Sequence, residues 1–177
     1  MPNICNVEGV VTGKRENVRK FLNLFLTPDS EENKKKERYF ARTTLINYEK
    51  EELDNLILPY KDGLREAKED DIITINIDFI CAWSVSVCMF EDDNFFTFNS
   101  SKVVILGDIL RELDIGIQWE SEELGIGFRE YIFGDSEGIN YNCVPIKVYE
   151  CHNCEHEEVV EDGDTEPSKC PQCQTKF

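Results

Sequence analysis

The sequence predicts an α+β fold: an antiparallel-rich sheet with helices on one face, and a small C-terminal unit held by cysteines. Three observations predict it. Apolar residues recur at helical spacing early in the chain and alternate at strand spacing from Ile72 onward. The elements run strand, helix, two strands, helix, strands, a β-α-β-β-α-β order. The last 27 residues hold Cys151-His152-Asn153-Cys154, a fifteen-residue spacer, and Cys170-Pro171-Gln172-Cys173.

Residues 4–12 read as a strand and Gly13 as the turn after it. Residues 14–26 read as a helix, because Val18, Phe21, Leu22 and Phe25 fall at i, i+3, i+4 and i+7. Residues 27–37, with Pro28 and three consecutive lysines, read as an exposed linker. Residues 48–58 carry Leu53, Leu56 and Ile57 on one side and stop at Pro59, a second helix. The stretch 28–70 reads as an insertion after the first helix.

From Ile72 the period is two: Ile73, Ile75, Ile77 and Phe79 alternate with Thr74, Asn76 and Asp78. Val85, Val87 and Met89 predict a further strand over 84–90, followed by a turn at 91–94. Residues 101–113 read as a helix with Leu106, Ile109, Leu110 and Leu113 on one face. Strands are expected from Ile115, over 131–133 and over 141–149, the last two separated by a turn at 134–138. The last strand runs directly into the C-terminal unit. The domains are expected at 1–146 and 147–177.

Two C-x-x-C pairs at this separation suit a tetrahedral metal. Each pair makes a tight turn that aims two sulfurs at one point, and the spacer is long enough to run out and back as a hairpin. Cys151, Cys154, Cys170 and Cys173 are therefore the expected ligands of a structural Zn²⁺ in a zinc ribbon, with iron the rival metal. Four thiolates leave no position for water or substrate, so the site is structural and not catalytic. Glu155 and Gln174 stand where glycine commonly follows such a turn. His152 or His156 is the alternative ligand, less regular in spacing than the thiols. The other cysteines, Cys5, Cys81, Cys88 and Cys143, lie in strand-like segments and read as small buried apolar groups. That usage, with no basic and apolar leader and no run near the roughly 18 apolar residues a span needs, predicts a reducing, cytoplasmic location.

Net charge is −17 and uneven. Up to Asp70 there are 13 Lys and Arg against 14 Asp and Glu, and from Asp71 there are 6 against 22. Such a surface repels phosphate backbones, which argues against nucleic acid as a partner. Lys14, Arg15, Arg19, Lys20 and Lys34 to Lys36 are the only candidate basic patch.

Three stretches resemble a known family. Pro2-Asn3-Ile4-Cys5-Asn6 with Val10-Val11-Thr12-Gly13, then Ala82-Trp83-Ser84, then the acidic stretch from Trp119 to Phe128 with its Gly125-Ile126-Gly127, are similar to segments of YubB-like ferredoxin-fold proteins of phages and plasmids. The resemblance touches most of the chain between residues 2 and 145. It implies a ferredoxin-like domain and a mobile-element origin, and no activity. The insertion and the ribbon are not general features of the family.

No catalytic constellation emerges. Both histidines lie in the ribbon, so a Ser-His-Asp or Cys-His arrangement would have to reach from there into the main domain. Gly125-Ile126-Gly127 lacks the lysine and following helix of a phosphate loop and reads as a strand turn. Asp78, Glu120, Glu122 and Glu123 suit a carboxylate site if they converge, and otherwise a solvated strand face. Trp83 and Trp119 read as core residues, each indole N–H satisfied nearby, with an exposed binding platform the alternative. The leading expectation is a non-enzymatic zinc-containing interaction protein whose acidic surface binds a protein partner. A metal-assisted carboxylate enzyme and a nucleic-acid-binding ribbon are the alternatives. An open strand edge and an aromatic-rich sheet also suit a homodimer.

Overall fold

The computed structural model describes residues 4–25, 37–46, 70–90 and 102–177. The sheet is built outward from β1 (Ile4–Lys14), which pairs antiparallel with β3 (Ile72–Ala82) on one side and β4 (Ile115–Glu123) on the other. Strand alternation sends Cys5, Val7 and Val11, Ile75, Ile77 and Phe79, and Ile115, Ile117 and Trp119 to one buried face. The opposite face carries Asn6, Glu8, Thr74, Asn76, Asp78 and Gln118, all exposed.

Two helices supply the apolar stripes that close the buried face. In α1 (Arg15–Leu22) these are Val18, Phe21 and Leu22, and in α3 (Leu106–Leu113) they are Leu106, Ile109, Leu110 and Leu113. Phe21, Phe25, Phe40, Phe79 and Trp119 form the centre, with Phe79 edge-on to Trp119 at 5.1 Å and Phe21 edge-on to Phe25 at 5.4 Å. The sheet continues through β5 (Phe128–Gly134), β6 (Ile139–Glu150) and β7 (Glu157–Glu161), while β2 (Thr43–Leu45) borders β3. The full order is β2-β3-β1-β4-β5-β6-β7, every pair antiparallel.

Several elements differ from expectation. The segment after Ala82 is a short helix, α2 (Val85–Met89), and not a strand. Its alternating Val-Ser-Val pattern loses to capping, one local and one from across the sheet: Val87 N donates to Ser84 Oγ at 3.1 Å and Val85 N to Glu130 Oε2 at 2.9 Å. The strand beside β3 is instead β2, inside the expected insertion. Helix α1 ends at Leu22, and Phe25 reaches the core from the following turn, where its N–H donates to Leu22 O at 3.2 Å. Helix α3 begins at Leu106, later than expected. Gly13 lies within β1 and not in a turn, and glycine suits it because a Cβ there would stand 2.6 Å from Ile115 Cγ2. The expected helix over 48–58, the turn over 91–94 and nearly all of the linker over 27–37 lie outside the described residues. Among the described residues, no helix is long and apolar enough to cross a membrane.

Candidate metal centre

Strand β6 runs through residue 146 without interruption, and its last five residues pair with β7. The first thiol turn sits between these two strands and the second follows β7. The turns share one hydrogen-bond pattern. Cys151 N donates to His156 O and Glu155 N to Cys151 O, both at 2.8 Å. Cys170 N donates to Thr175 O at 2.8 Å and Gln174 N to Cys170 O at 2.9 Å. Each turn closes on a left-handed residue, Glu155 at φ 57° and Gln174 at φ 62°. These are the positions where glycine is common, and a side chain there carries backbone strain.

The two turns bring Cys151, Cys154, Cys170 and Cys173 together, with all four sulfurs within 4.8 Å of one another. Cys151 Sγ lies 3.5 Å from Cys173 Sγ and Cys154 Sγ lies 3.6 Å from Cys170 Sγ. Cys151 and Cys170 are buried and the other two are half-buried. The cluster could hold a metal ion. The protein environment divides the thiols. The Thr175 hydroxyl, 3.3 Å from Cys173 Sγ, then the Thr175 main chain and Asn153, hold Cys173 down to about 5. At Cys154 the main chain of His156 pulls downward, but burial and the neighbouring sulfurs prevail and push it up to about 12. Neither histidine joins the cluster: His152 is exposed and His156 Nε2 lies 3.3 Å from Glu158 Oε2.

The carboxylates divide between the two sheet faces. Asp78, Glu120 and Glu122 share the open face with Glu8, and the register sets Glu8 directly between Asp78 and Glu120. With Asn6 and Ile46 they line a shallow cleft of about 370 Å³. Arg129 bridges this face to the hairpin, 3.1 Å from both Glu120 and Glu161 and in contact with Glu122. Glu123 is buried on the other face, where Gly125 N donates to it at 3.2 Å and Ile126 N also donates. Gly125-Ile126-Gly127 is the β4–β5 turn, and Gly127 is required there: its φ is +87° and a Cβ would stand 2.8 Å from Ile146 O. Among the described residues only the four thiols gather three or more metal-binding groups this closely.

The tryptophans part company. Trp119 is core, but its indole nitrogen has no hydrogen-bond partner among the described residues, contrary to expectation. Trp83 adopts φ +75° and stacks under the Arg42 guanidinium at 4.5 Å. Cys5, Cys81 and Cys88 are buried as expected, whereas Cys143 is exposed. Of the expected basic patch, Arg15 is buried, Lys20 pairs with Glu16 and Lys14 lies 3.8 Å from Asp70, while Lys34 to Lys36 lie outside the described residues.

One residue was not singled out from the sequence. Glu130 is fully buried, yet its carboxylate accepts from Val85 N at 2.9 Å, Ser86 N at 3.4 Å and Ser86 Oγ at 2.9 Å. It also accepts from Ser121 Oγ at 2.6 Å and Tyr141 Oη at 3.0 Å. Burial first, with the nearby Glu130 charge, pushes the Tyr141 phenol up. The signal was present in the alternation Phe128-x-Glu130-x-Ile132, which sets a carboxylate on a core-facing position. Compared with protein-family models, with curated proteins and with solved structures, the chain matches none.

Proposed function

We propose that this chain is a non-enzymatic, zinc-containing interaction protein of a mobile genetic element, acting in a reducing cytoplasm. Its acidic sheet face binds a basic protein partner. The observation that carries the reading is the row Asp78, Glu8, Glu120 across three neighbouring strands of the open face. Like charges directly opposite one another lower sheet stability. Among the described residues only Arg129 opposes them as an ion-pair partner, through Glu120. An array that weakens the fold is better accounted for by a partner that neutralises it. Mimicry of DNA charge toward a host nucleic-acid-binding protein is a special case of the same chemistry.

The metal reading follows from the donor set. Four thiolates at Zn–S of about 2.3 Å in a tetrahedron stand about 3.8 Å apart, close to the 3.5 and 3.6 Å separations here. Thiolate ligation suits zinc first and iron second. The ferredoxin-like reading is supported by the order β2-β3-β1-β4, with α1 between β1 and β2 and α3 between β3 and β4. The mobile-element origin rests on the resemblance of the Pro2 to Gly13, Ala82 to Ser84 and Trp119 to Phe128 stretches.

Affinity capture at low salt from cells that carry the protein tests the function. Wild type is expected to retain a basic protein that 0.5–1 M salt releases, about the range that screens surface charge. The doubly charge-reversed Glu8→Lys, Asp78→Lys chain is expected to lose it. Identical proteins retained by both chains would overturn the reading.

A further inference from the structure

We propose that the outer edge of β6 binds an extended, basic peptide segment of a partner protein by strand addition, with apolar side chains of that segment seated in the adjoining cleft. The proposal rests on the reading of the chain as an interaction protein, and assigns a second surface distinct from the open acidic face.

The free edge follows from strand parity. Ile146 N donates to Gly127 O, so even-numbered residues of β6 turn their main chain toward β5. Ile139, Tyr141 and Cys143 turn theirs outward. Strand β7 covers that side only from Ile146 onward, and the contact before it is Asp162 N donating to Pro145 O at 2.8 Å. Among the described residues, no main-chain hydrogen bond meets the outward groups of Ile139, Tyr141 and Cys143. Asn140, Tyr141, Asn142 and Cys143 are all exposed. Natural sheets guard such an edge with lysine, proline or a bulge. Residues 130–146 contain no Lys or Arg, and their single proline is Pro145 at the far end.

The edge borders a shaped apolar surface. Tyr141 and Cys143 line a cleft of about 410 Å³ with Trp83, Val87, Ile126 and Phe128, and Glu130 at its base. Its rim is exposed hydrocarbon: Val87 is 48%, Ile126 65% and Tyr141 43% accessible. Residues opposite each other in an antiparallel pair share a face, so partner residues facing Tyr141 and Cys143 would project on the cleft side. The cleft is preorganised, because the Glu130 carboxylate ties the start of α2 to Ser121 on β4 and Tyr141 on β6. Trp83 is held at a left-handed φ of +75°, a conformation that surrounding structure must enforce.

Charge selects the occupant. The cleft's one carboxylate is Glu130, the hairpin turn beside the edge carries Asp135 and Glu137, and the chain after Asp70 has 6 Lys and Arg against 22 Asp and Glu. A cationic segment complements this, whereas a second copy would bring −17 against −17.

The test is selection from a randomised decapeptide library displayed on phage, against the metal-loaded full chain. Enriched peptides are expected to be basic with apolar residues at alternate positions. Binding should slow hydrogen exchange at Ile139, Tyr141 and Cys143. Ile126→Lys, which blocks the cleft mouth, and Cys143→Pro, which removes an outward N–H and no bond to β5, should each weaken binding about 10-fold or more, a change read directly as a ratio of Kd values. N-methylation of alternate peptide amides should do the same on the unaltered protein, so the test survives a misfolded variant. No enrichment over bare matrix, or binding indifferent to all three changes, overturns the proposal. Binding lost instead in the Glu8→Lys, Asp78→Lys chain would place the peptide on the open face, which overturns the edge proposal and leaves the acidic-face reading standing. Edge amides already protected in peptide-free protein of doubled sedimentation mass would give the edge to a second copy and likewise overturn it.

Discussion

Phe21, Phe25, Phe40, Phe79 and Trp119 are each at most 1% exposed and touch one another across the sheet and helices. In the C-terminal hairpin Val159, Val160 and Phe177 are only half-buried, and Tyr149 meets Phe177 edge-on at 5.9 Å. The first region removes large side chains from water and needs nothing else. The second is about 30 residues long, too small to bury a core of its own, and its four thiols could hold a metal ion, which is what stabilises units of this size. Yet the two share one strand, β6, and one ion-pair hub, Arg129. The contrast teaches that continuity of a sheet does not imply continuity of what stabilises it.

The largest effect should separate the two regions outright. Structural metal on four thiolates contributes on the order of 10–16 kcal/mol of apparent binding free energy at neutral pH. Chelation, or Cys170→Ser, is expected to unfold residues 151–177 while β1, β3 and β4 keep their exchange protection. The Ile139 to Pro145 half of β6 keeps its pairing with β5, and the Ile146 to Glu150 half loses β7. Hydrogen exchange followed residue by residue reads this directly. If Val7, Val11 and Trp119 lost protection together with Cys151, the distinction between the regions would be wrong. Elemental analysis should find one metal ion per chain.

Phe21→Ala reverses the experiment. Removing a fully buried phenyl ring that contacts Phe25, Phe40 and Trp119 should cost about 3–5 kcal/mol in urea unfolding. Metal content should stay unchanged under native conditions. A cost below about 0.5 kcal/mol, the size of a surface change, would show that the aromatic cluster does not hold the sheet.

Glu130→Ala should fall between those effects and the surface. It strands the buried Val85 N–H and Ser121 hydroxyl, at roughly 1–3 kcal/mol. The loss should centre on α2, seen as faster exchange at Val87 and Cys88, with the metal hindmost in responding. Uniform loosening of the whole sheet would mean the carboxylate does more than cap α2.

How far the sequence spoke differs between the regions for a physical reason. The thiol cluster was legible residue by residue, because ligation demands a fixed residue type at a fixed spacing. Even the left-handed Glu155 and Gln174 could be anticipated from the missing glycines. The core faces of β3, α1 and α3 were legible from period alone. Helix α2 was not: three alternating residues read as strand, and of the two side chains that cap it Ser84 is local but Glu130 comes from 45 residues away. Strand β2 was not either, since three residues carry too short a pattern to separate from a loop. The carboxylates were half legible, as alternation sends Glu120 and Glu122 to one face but cannot place them beside Glu8 and Asp78 without the register.

The smallest effect distinguishes how acid acts on each region. Arg38 grips Glu112 of α3 with two hydrogen bonds, 2.8 and 2.7 Å, on an exposed surface. That contact, opposed by slight burial, holds the Glu112 carboxyl below the ordinary carboxylate value of 4.5. A carboxyl depressed in the folded state stabilises above its unfolded pKa and loses that contribution as pH falls through its folded pKa. Glu112→Gln should therefore cost a few tenths of a kcal/mol at pH 7, within the roughly 0.2–1 kcal/mol of exposed pairs. The difference from wild type should shrink below about pH 4.5 and also in 1 M salt, where screening reaches about 3 Å. Measured in a Cys170→Ser background, the metal cannot contribute. The hairpin in the unaltered chain should respond differently, losing its metal over a narrow range near about pH 4–5 as protons displace it from the thiolates. A Glu112 effect that grows on acidification, or is indifferent to salt, would mean the pair acts through packing and not charge.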